Sequence, residues 1–374
     1  MKVLILIRAL STGGAERQAA LLAKGLKARG HPVKVMVFYG GGTLEADLTA
    51  AAVPVIDLGK RGRWDTAAFW WRLVRAVRRE QPDVLYSFLT VANLLNGLLE
   101  PLIPGVKRVW GLRASNMDPS RYDWLHRITM SLETRLARRA NLIIANAQAG
   151  LDVALANGLP ADRISVIRNG IDTTRFRPDR AAGIPLRAAW GISTHQPLIG
   201  LVGRLDPMKG HPAFLLAAAQ LRDLQPDTRF VCVGEGSANY RAMLMAEAGA
   251  LGLQEILHWA GDRQDMPAVY NALDVAVSAS LFGEGVSNML GEAMACGTPC
   301  VTTAVGDSAW VVGETGVVVP PGQPAALAEG IAAQLERLSL EGESLRQQVR
   351  QHIETNLSTD ALLDNTLNAF GRLA

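Results

Sequence analysis

Apolar runs that read as strands alternate along this chain with stretches whose apolar positions recur at helical spacing. In the first half the strand-like runs are Lys2–Ile7, Pro32–Phe38, Val53–Asp57, Val84–Ser87, Val106–Leu112, Asn141–Ala145 and Ser165–Ile167. Helical patterns lie between them, notably Ala15–Arg29, Thr66–Glu80 and Trp124–Arg139. In the second half strands fall at Leu198–Val202, Arg229–Val233, Ile256–Ala260, Val275–Ser280, Cys300–Thr302 and Gly316–Val319, with helices at about Pro212–Leu224, Asn239–Leu251, Met266–Asn271 and Val286–Cys296. Such alternation argues for an α/β chain of parallel sheets covered by helices. The periodicity breaks in Asn169–Gly183, where Asn-Gly, several charges and Pro178 intervene, so the boundary between two domains is placed there. Residues 1–168 form the first expected domain and 169–356 the second. Gln323–Leu340, Gly342–Thr355 and Leu357–Leu373 read as helices, the last starting near Thr359 or Asp360. Two such sheets joined once leave a cleft at their facing edges, and ligands bind beyond the carboxyl ends of the strands.

The most informative stretch is Leu281–Glu292 with its continuation to Cys300. It follows the apolar run Asp274–Ser280 and passes through a Gly-flanked turn into a helical pattern. Ser287 or Asn288 can cap that helix, and Gly297 with Pro299 ends it. If helical rise sets most of the spacing, Glu284 and Glu292 stand roughly 12 Å apart. Paired carboxylates that hydrolyse a glycoside stand roughly 5 to 9.5 Å apart. The wider spacing suits the two ends of an extended ligand, with helix N-terminal amides between them favouring an anion. A nucleotide-sugar has this form. The plain alternative is that Glu284 caps a loop and Glu292 lies on a solvated helix face.

Other segments carry candidate chemistry. Gly13-Gly14 follows the first strand and opens a helix, but it is not Gly-x-Gly-x-x-Gly, so it does not argue for a dinucleotide. In Gly203-Arg204-Leu-Asp-Pro-Met-Lys209-Gly210, Arg204 can hold an anion bidentately and Lys209 adds a mobile charge. Gly234 and Gly236 end a further strand and would keep that rim open. Lys60, Arg61, Arg63 and Trp64, with Phe69-Trp-Trp-Arg72, Arg75, Arg78 and Arg79, combine cations with aromatics, a pattern for lying on an anionic membrane. The competing reading is an amphipathic helix that packs Phe69 or Trp70 on the sheet and leaves its arginines in water.

Glu284-Gly-Val-Ser-Asn-Met-Leu-Gly-Glu292, followed by Ala-Met-Ala-Cys-Gly-Thr-Pro, resembles the Glu-x7-Glu signature of the retaining glycosyltransferases of family 4, which have the GT-B fold. Gly13-Gly-Ala-Glu16, Val166-Ile-Arg-Asn-Gly-Ile-Asp172, the segment Gly203–Gly210 and Val233-Gly-Glu-Gly236 match in the family's order, so the resemblance covers nearly the whole chain. It implies two Rossmann-like domains with parallel sheets facing across a cleft, the first for acceptor and the second for nucleotide-sugar. The C-terminal helix, about 357–374, would pack back on the first domain. It implies a retaining, metal-independent transfer from a nucleotide-sugar, expected to be a UDP-sugar, to a hydroxyl of a glycan or lipid-linked acceptor, as in cell-surface polysaccharide or lipopolysaccharide assembly. Glu292 would bind the ribose hydroxyls and Glu284 the sugar hydroxyls. Arg204 and Lys209 would stabilise the departing diphosphate, helped by the backbone of Gly285, Val286 and Ser287. Gly13, Gly14, Gly203 and Gly234 would face the donor, and Arg263 would lie beside its base. Arg113 and Asn116 fall on the acceptor side. No metal or cofactor is expected, and the chain holds no Asp-x-Asp. Some family members carry a histidine near the reacting sugar. Neither Ser87–Asn93 nor Trp110–Asn116 contains one, so no such role passes to this chain. His126 reads as a surface or satisfied histidine and His211 as a helix cap. Two alternatives stay open: a nucleotide-sugar epimerase or hydrolase, which would need an added acid/base set, and a non-catalytic sugar- or nucleotide-binding protein.

A chain of 374 residues, 49% hydrophobic, has core enough for two domains. Its net charge of +3 is too mild to argue for nucleic acid. Cys232, Cys296 and Cys300 make an odd count and read as buried thiols of a reducing compartment. Cys296 and Cys300 lack a second ligand pair, so zinc is not expected. No apolar run reaches about 18 residues, and the opening apolar residues read as a strand rather than a signal peptide. The expected location is cytoplasmic, peripheral on the inner face of the membrane if the basic and aromatic surface binds lipid.

Overall fold

A computed structural model describes residues 1–11, 13–62, 64–113 and 132–373. The chain divides into two compact units, Met1–Gly170 with Thr359–Ala374, and Ile171–Ser358.

The first unit is built on β1 (Val3–Ile7), β2 (Val33–Val37), β3 (Val55–Asp57), β4 (Val84–Phe88), β5 (Lys107–Leu112), β6 (Leu142–Ala145) and β7 (Ile164–Val166). They form one sheet in the order β3-β2-β1-β4-β5-β6-β7. All its neighbours pair in parallel. A parallel sheet is covered on both faces, which is why β1 reads as an unbroken apolar run and all five of its residues are buried. Alternate side chains serve opposite faces. Val3, Ile5 and Ile7 join a core with the helices Gly14–Ala28 and Thr359–Gly371. Leu4 and Leu6 join another with the helix Ala67–Glu80.

The last helix belongs to this first unit. It lies so close to the helix Gly14–Ala28 that a Cβ at Gly25 would fall 2.6 Å from Leu363. Arg29 holds Asp360 at 2.7 Å and also bonds Asp364, and Phe370 stands edge-on to Tyr86 at 5.8 Å. On the other face, Phe69 meets Phe38 at 5.1 Å, edge to face, and Trp70 is half-buried in the same core. The amphipathic packing considered for this helix is therefore present. The part of the expected helix Trp124–Arg139 that precedes residue 132 lies outside the described residues, as do Arg63, Asn116 and His126; residues 132–137 are helical.

The second unit carries β8 (Leu198–Val202), β9 (Arg229–Val233), β10 (Leu257–Gly261), β11 (Val275–Ser278), β12 (Cys300–Thr303) and β13 (Val317–Val319). Their order is β10-β9-β8-β11-β12-β13, again parallel throughout. The direction of winding reverses between β8 and β11, and between β1 and β4 in the first unit. Open α/β sheets bind ligands beyond the strands' carboxyl ends at such reversals.

Two expectations are corrected here. The stretch placed as irregular at Asn169–Gly183 leads into a helix, Arg180–Ala189, capped by Asp179, which accepts from Ala182 N at 3.1 Å. Gly183 is no breaker: a Cβ there would stand 2.5 Å from Ala272 N, so it lets this helix press on Met266–Ala272. Its arginines also anchor it, with Arg180 on one oxygen of Asp274 at 2.8 Å and Arg187 on the other at 3.1 Å. Burial pushes Asp274 upward, but these cations and the Leu198 amide outweigh it and leave the carboxyl below its usual value. The second correction is that the helix expected from Val286 begins at Asn288.

Candidate functional site

The loops leaving β8, β9 and β10 continue the sheet's hydrogen bonding beyond the strands. Gly203 N donates to Val233 O at 2.9 Å, Leu205 N to Glu235 O at 2.9 Å, and Gly234 N to Gly261 O at 2.8 Å. Gly234, at φ 138°, approaches so closely that a Cβ would lie 2.1 Å from Gly203 O. The glycine therefore serves the close packing of this rim on itself, whatever ligand lies beyond it.

After Gly203 the chain makes a short 3₁₀ turn, Pro207–Lys209, whose start is capped by Asp206 accepting from Met208 N at 2.9 Å. Gly210 ends it at φ 68°, where a Cβ would fall 2.0 Å from Ala279 O. Leu281 N donates to Met208 O at 2.8 Å. These contacts join the loop after β8 to the loop after β11, across the reversal point. They bring Lys209 onto the Glu284 carboxylate as an ion pair, and Ser280 Oγ donates to the same oxygen at 2.7 Å. From the far side Asp307 N donates to Gly285 O at 3.0 Å. Glu284 is buried, so its acceptor oxygens are fixed rather than sampling solvent.

Glu292 is also buried, and Tyr270 Oη donates to its Oε2 at 2.9 Å. It does not lie on a solvated helix face. Ser287 occupies the cap position in extended conformation without a side-chain cap bond, and the first-turn amides of any helix lack intrahelical acceptors. Because the helix starts at Asn288, only the steps from there to Glu292 follow helical rise, about 6 Å. The bent segment Glu284–Ser287 sets the rest of the separation.

Two expected cations stand apart from this cluster. Arg204 is paired with Asp206 at 3.0 Å, and its side chain is 68% exposed. Arg263 is held bidentately by Asp265, at 2.8 and 2.6 Å, which raises it above the usual arginine value. His211 is fully buried, and among the described residues neither ring nitrogen has a partner. It caps nothing, since Gly210 holds that position. Burial, with Lys209 close by, lowers it to about 4. The three cysteines are free and buried, and burial pushes Cys296 up to about 12.

In the first unit Gly13 sits at the N-cap of Gly14–Ala28. The Glu16 carboxylate folds back against it, 2.2 Å from where a Cβ would be. Arg113, at the end of β5, lies 4.5 Å over the Phe88 ring and donates to Tyr86 Oη at 2.9 Å and Asn169 Oδ1 at 3.0 Å.

The sequence model for Glycosyltransferase Family 4 matches residues 12–175, and that for Glycosyl transferases group 1 matches 196–337. The D-inositol 3-phosphate glycosyltransferase of Corynebacterium glutamicum (strain R) is 30% identical over 292 residues, covering 72% of this chain and 68% of that protein. The chain belongs to glycosyltransferase family 4. The protein of the same name from Mycobacterium sp. (strain KMS) is 35% identical over 197 residues, 50% of this chain, and the match spans 43% of that relative, so less than half of its length. The crystal structure of Anabaena HepE in complex with UDP superposes over the whole of both chains with a TM-score of 0.87 at 23% identity. The fold is GT-B, two Rossmann-like α/β domains with parallel sheets.

Several residues around these candidates were not foreseen. Asp206 sits two positions from Arg204, and Asp265 two positions from Arg263, so both local pairings were readable from spacing alone. Tyr270 carried no local signal, because its partner Glu292 is fixed by tertiary packing, and Ser280 bonds Glu284 four positions on within the same loop. Leu89, at the carboxyl end of β4, has φ 72° and ψ 158°, a backbone region that essentially glycine alone occupies. Nothing in its sequence context marks it.

Proposed function

We propose that this family 4 chain transfers a sugar from a nucleotide-sugar, a UDP-sugar, to a hydroxyl of a glycan or lipid-linked acceptor, with retention and without a metal. The observation that carries the reading is the Lys209–Glu284 pair, locked by backbone contacts at the reversal between β8 and β11. A cation beside a fixed carboxylate suits a ligand with a diphosphate at one point and a hydroxylated ring at the next. The HepE structures with UDP and with UDP-glucose support that ligand class. The relatives named D-inositol 3-phosphate glycosyltransferase support transfer to a hydroxyl.

Glu284 accepts from sugar hydroxyls, while Lys209 shifts toward the diphosphate and neutralises the charge that grows as the C1–oxygen bond breaks. The buried Glu292, oriented by Tyr270, accepts from the ribose hydroxyls. Arg204 adds a second cation by leaving Asp206, which is open to it because both are surface groups. The acceptor oxygen bonds to C1 on the face that the diphosphate leaves, and its proton passes to a departing phosphate oxygen. No side chain acts as general base, so catalysis rests on positioning and on preorganised charge.

The test is release of UDP from a UDP-sugar with and without a hydroxylated acceptor. Acceptor-dependent release is expected. Release at the same rate without acceptor would make the chain a hydrolase, and UDP-sugar binding with no release would make it a binding protein. Thermal shifts with UDP, GDP and ADP identify the base.

A further inference from the structure

We propose that the outward face of the helix Ala67–Glu80, with the turn before it, rests on a phospholipid surface bearing anionic headgroups. The core side of this helix is Phe69, Leu73 and Val77. Residues two positions further on point the other way at 100° per residue; there stand Trp71 and Arg75, with Arg78 on the same stripe seven positions after Trp71, all exposed. Trp71 is 65% exposed, and Trp64, in the turn just ahead of the helix, is 87% exposed. The Arg75 guanidinium lies 5.7 Å from the Trp71 ring centre. Single exposed apolar residues are ordinary. Two tryptophans at one end of an element, continued by a stripe of arginines, are less so. Indole settles at the headgroup level of a bilayer, apolar body inward and N–H in the polar layer.

Charge complementarity selects the occupant. From Lys60 to Arg79 the sequence holds seven cations and one carboxylate, Asp65. That stretch is formally +6 while the whole chain is +3, so the remainder is net negative. Asp65 is turned inward, bonded to Arg72 and to the Arg61 amide. The nearest other acid, Glu80, is buried against Lys34 and Lys2, with Arg79 at 3.3 Å. Among the described residues neither Arg75 nor Arg78 pairs with a carboxylate, and Arg78 donates to Leu102 O. Since β3 leads into this helix and β4 leaves it, its tryptophan end lies at the carboxyl edge of the first unit's sheet, the edge that also carries Gly13 and Arg113. A chain lying on lipid by this face presents that edge at the bilayer surface.

The experiment is co-sedimentation of the full chain with vesicles of phosphatidylcholine alone and with phosphatidylglycerol added. Binding that requires phosphatidylglycerol and weakens steeply above about 0.1 M salt is expected. Combined Arg75→Gln, Arg78→Gln and Arg79→Gln should weaken it at least about tenfold, and Trp64→Ser with Trp71→Ser should remove the part that survives salt. These side chains are exposed, so an unchanged melting curve confirms folding. No vesicle binding, equal binding to neutral vesicles, wild-type binding by both variants, or retention on a soluble polyanion without vesicle binding would each overturn the proposal. UDP-induced thermal shifts report the sugar-nucleotide site separately, so the two readings fail independently.

Discussion

The rims of the two sheets look alike in topology and differ in what their side chains do. Beyond β8 and β11 the second unit fixes charged groups with backbone contacts, so that Lys209 and Glu284 meet and Glu292 is oriented by Tyr270. Beyond β1 and β5 the first unit spends its charged groups on itself: Glu16 covers Gly13, and Arg113 is tied to Tyr86 and Asn169. Preorganised charge serves a ligand part that never varies, such as a diphosphate. A rim whose charges are internally satisfied leaves recognition to shape and to the surrounding loops. Under the proposed roles, the donor side would be the fixed half and the acceptor side the adaptable half.

The comparison breaks most visibly if Lys209 is dispensable. Lys209→Ala should lower kcat about 100-fold or more, the size expected for removing one charge stabiliser at a transition state. Arg113→Ala should change kcat far less, and both proteins should give native circular dichroism. Equal losses would show that the fixed charge does not lie where the bond breaks.

His211 sharpens the contrast between a rim built on buried neutrality and one that is not. Its folded value of about 4 lies below the ordinary 6.5. Above 6.5 both states hold a neutral ring and the fold is undiminished. As pH falls from 6.5 to about 4, the unfolded chain takes up the proton first, and stability drops by roughly 3 kcal/mol before levelling. The charged groups acting on the ring are Lys209, which opposes its protonation, and Asp206, which favours it. His211→Phe should flatten this part of the pH profile in denaturant titrations. An unchanged slope would mean that the ring titrates freely.

The strands were legible because a parallel sheet buried on both faces writes itself as continuous apolar runs, and every run taken for a strand has one in the fold. Among the shorter helices Met266–Ala272 was legible, but two others were not. In Thr90–Leu98 two asparagines stand where a helix would bury apolar groups: Asn96 is buried and donates to the Leu85 and Val109 carbonyls, and Asn93 to that of Gly111. Arg180–Ala189 contains Gly183 and Pro185, which read as breakers. In the site, residue types and the pairings two positions apart were readable, and the distant partners were not. Glu284 and Lys209 stood out as candidates, but only the fold puts them together, whereas the Arg204–Asp206 pairing lies two positions apart in the sequence.

A smaller effect separates the two carboxylates of the second rim. Tyr270→Phe keeps the ring in the core and removes one donor from the buried Glu292, for a cost of about 1 to 2 kcal/mol. Under the proposed roles, KM for the nucleotide-sugar should rise while kcat falls little, since ribose binding is shared by ground and transition states. A fall in kcat at constant KM would move Glu292 from binding to chemistry.

The smallest effect concerns the first rim, where strain stands in place of fixed charge. Leu89 links β4 to the helix Thr90–Leu98 with φ 72°, its N–H donating to Gly111 O at 3.2 Å and its carbonyl accepting from Asn93 N at 3.0 Å. Both bonds hold the backbone where a Cβ is disfavoured. Replacing a half-buried leucine by alanine loses packing and keeps that penalty, whereas glycine loses the same packing and is relieved of it. Ordinarily alanine outranks glycine by roughly 0.5 to 1 kcal/mol in regular structure. At Leu89 the order should invert, with Leu89→Gly about 1 kcal/mol more stable than Leu89→Ala in denaturant titrations. The usual order would mean that the loop relaxes without its leucine, and that the first rim is no more strained than the second.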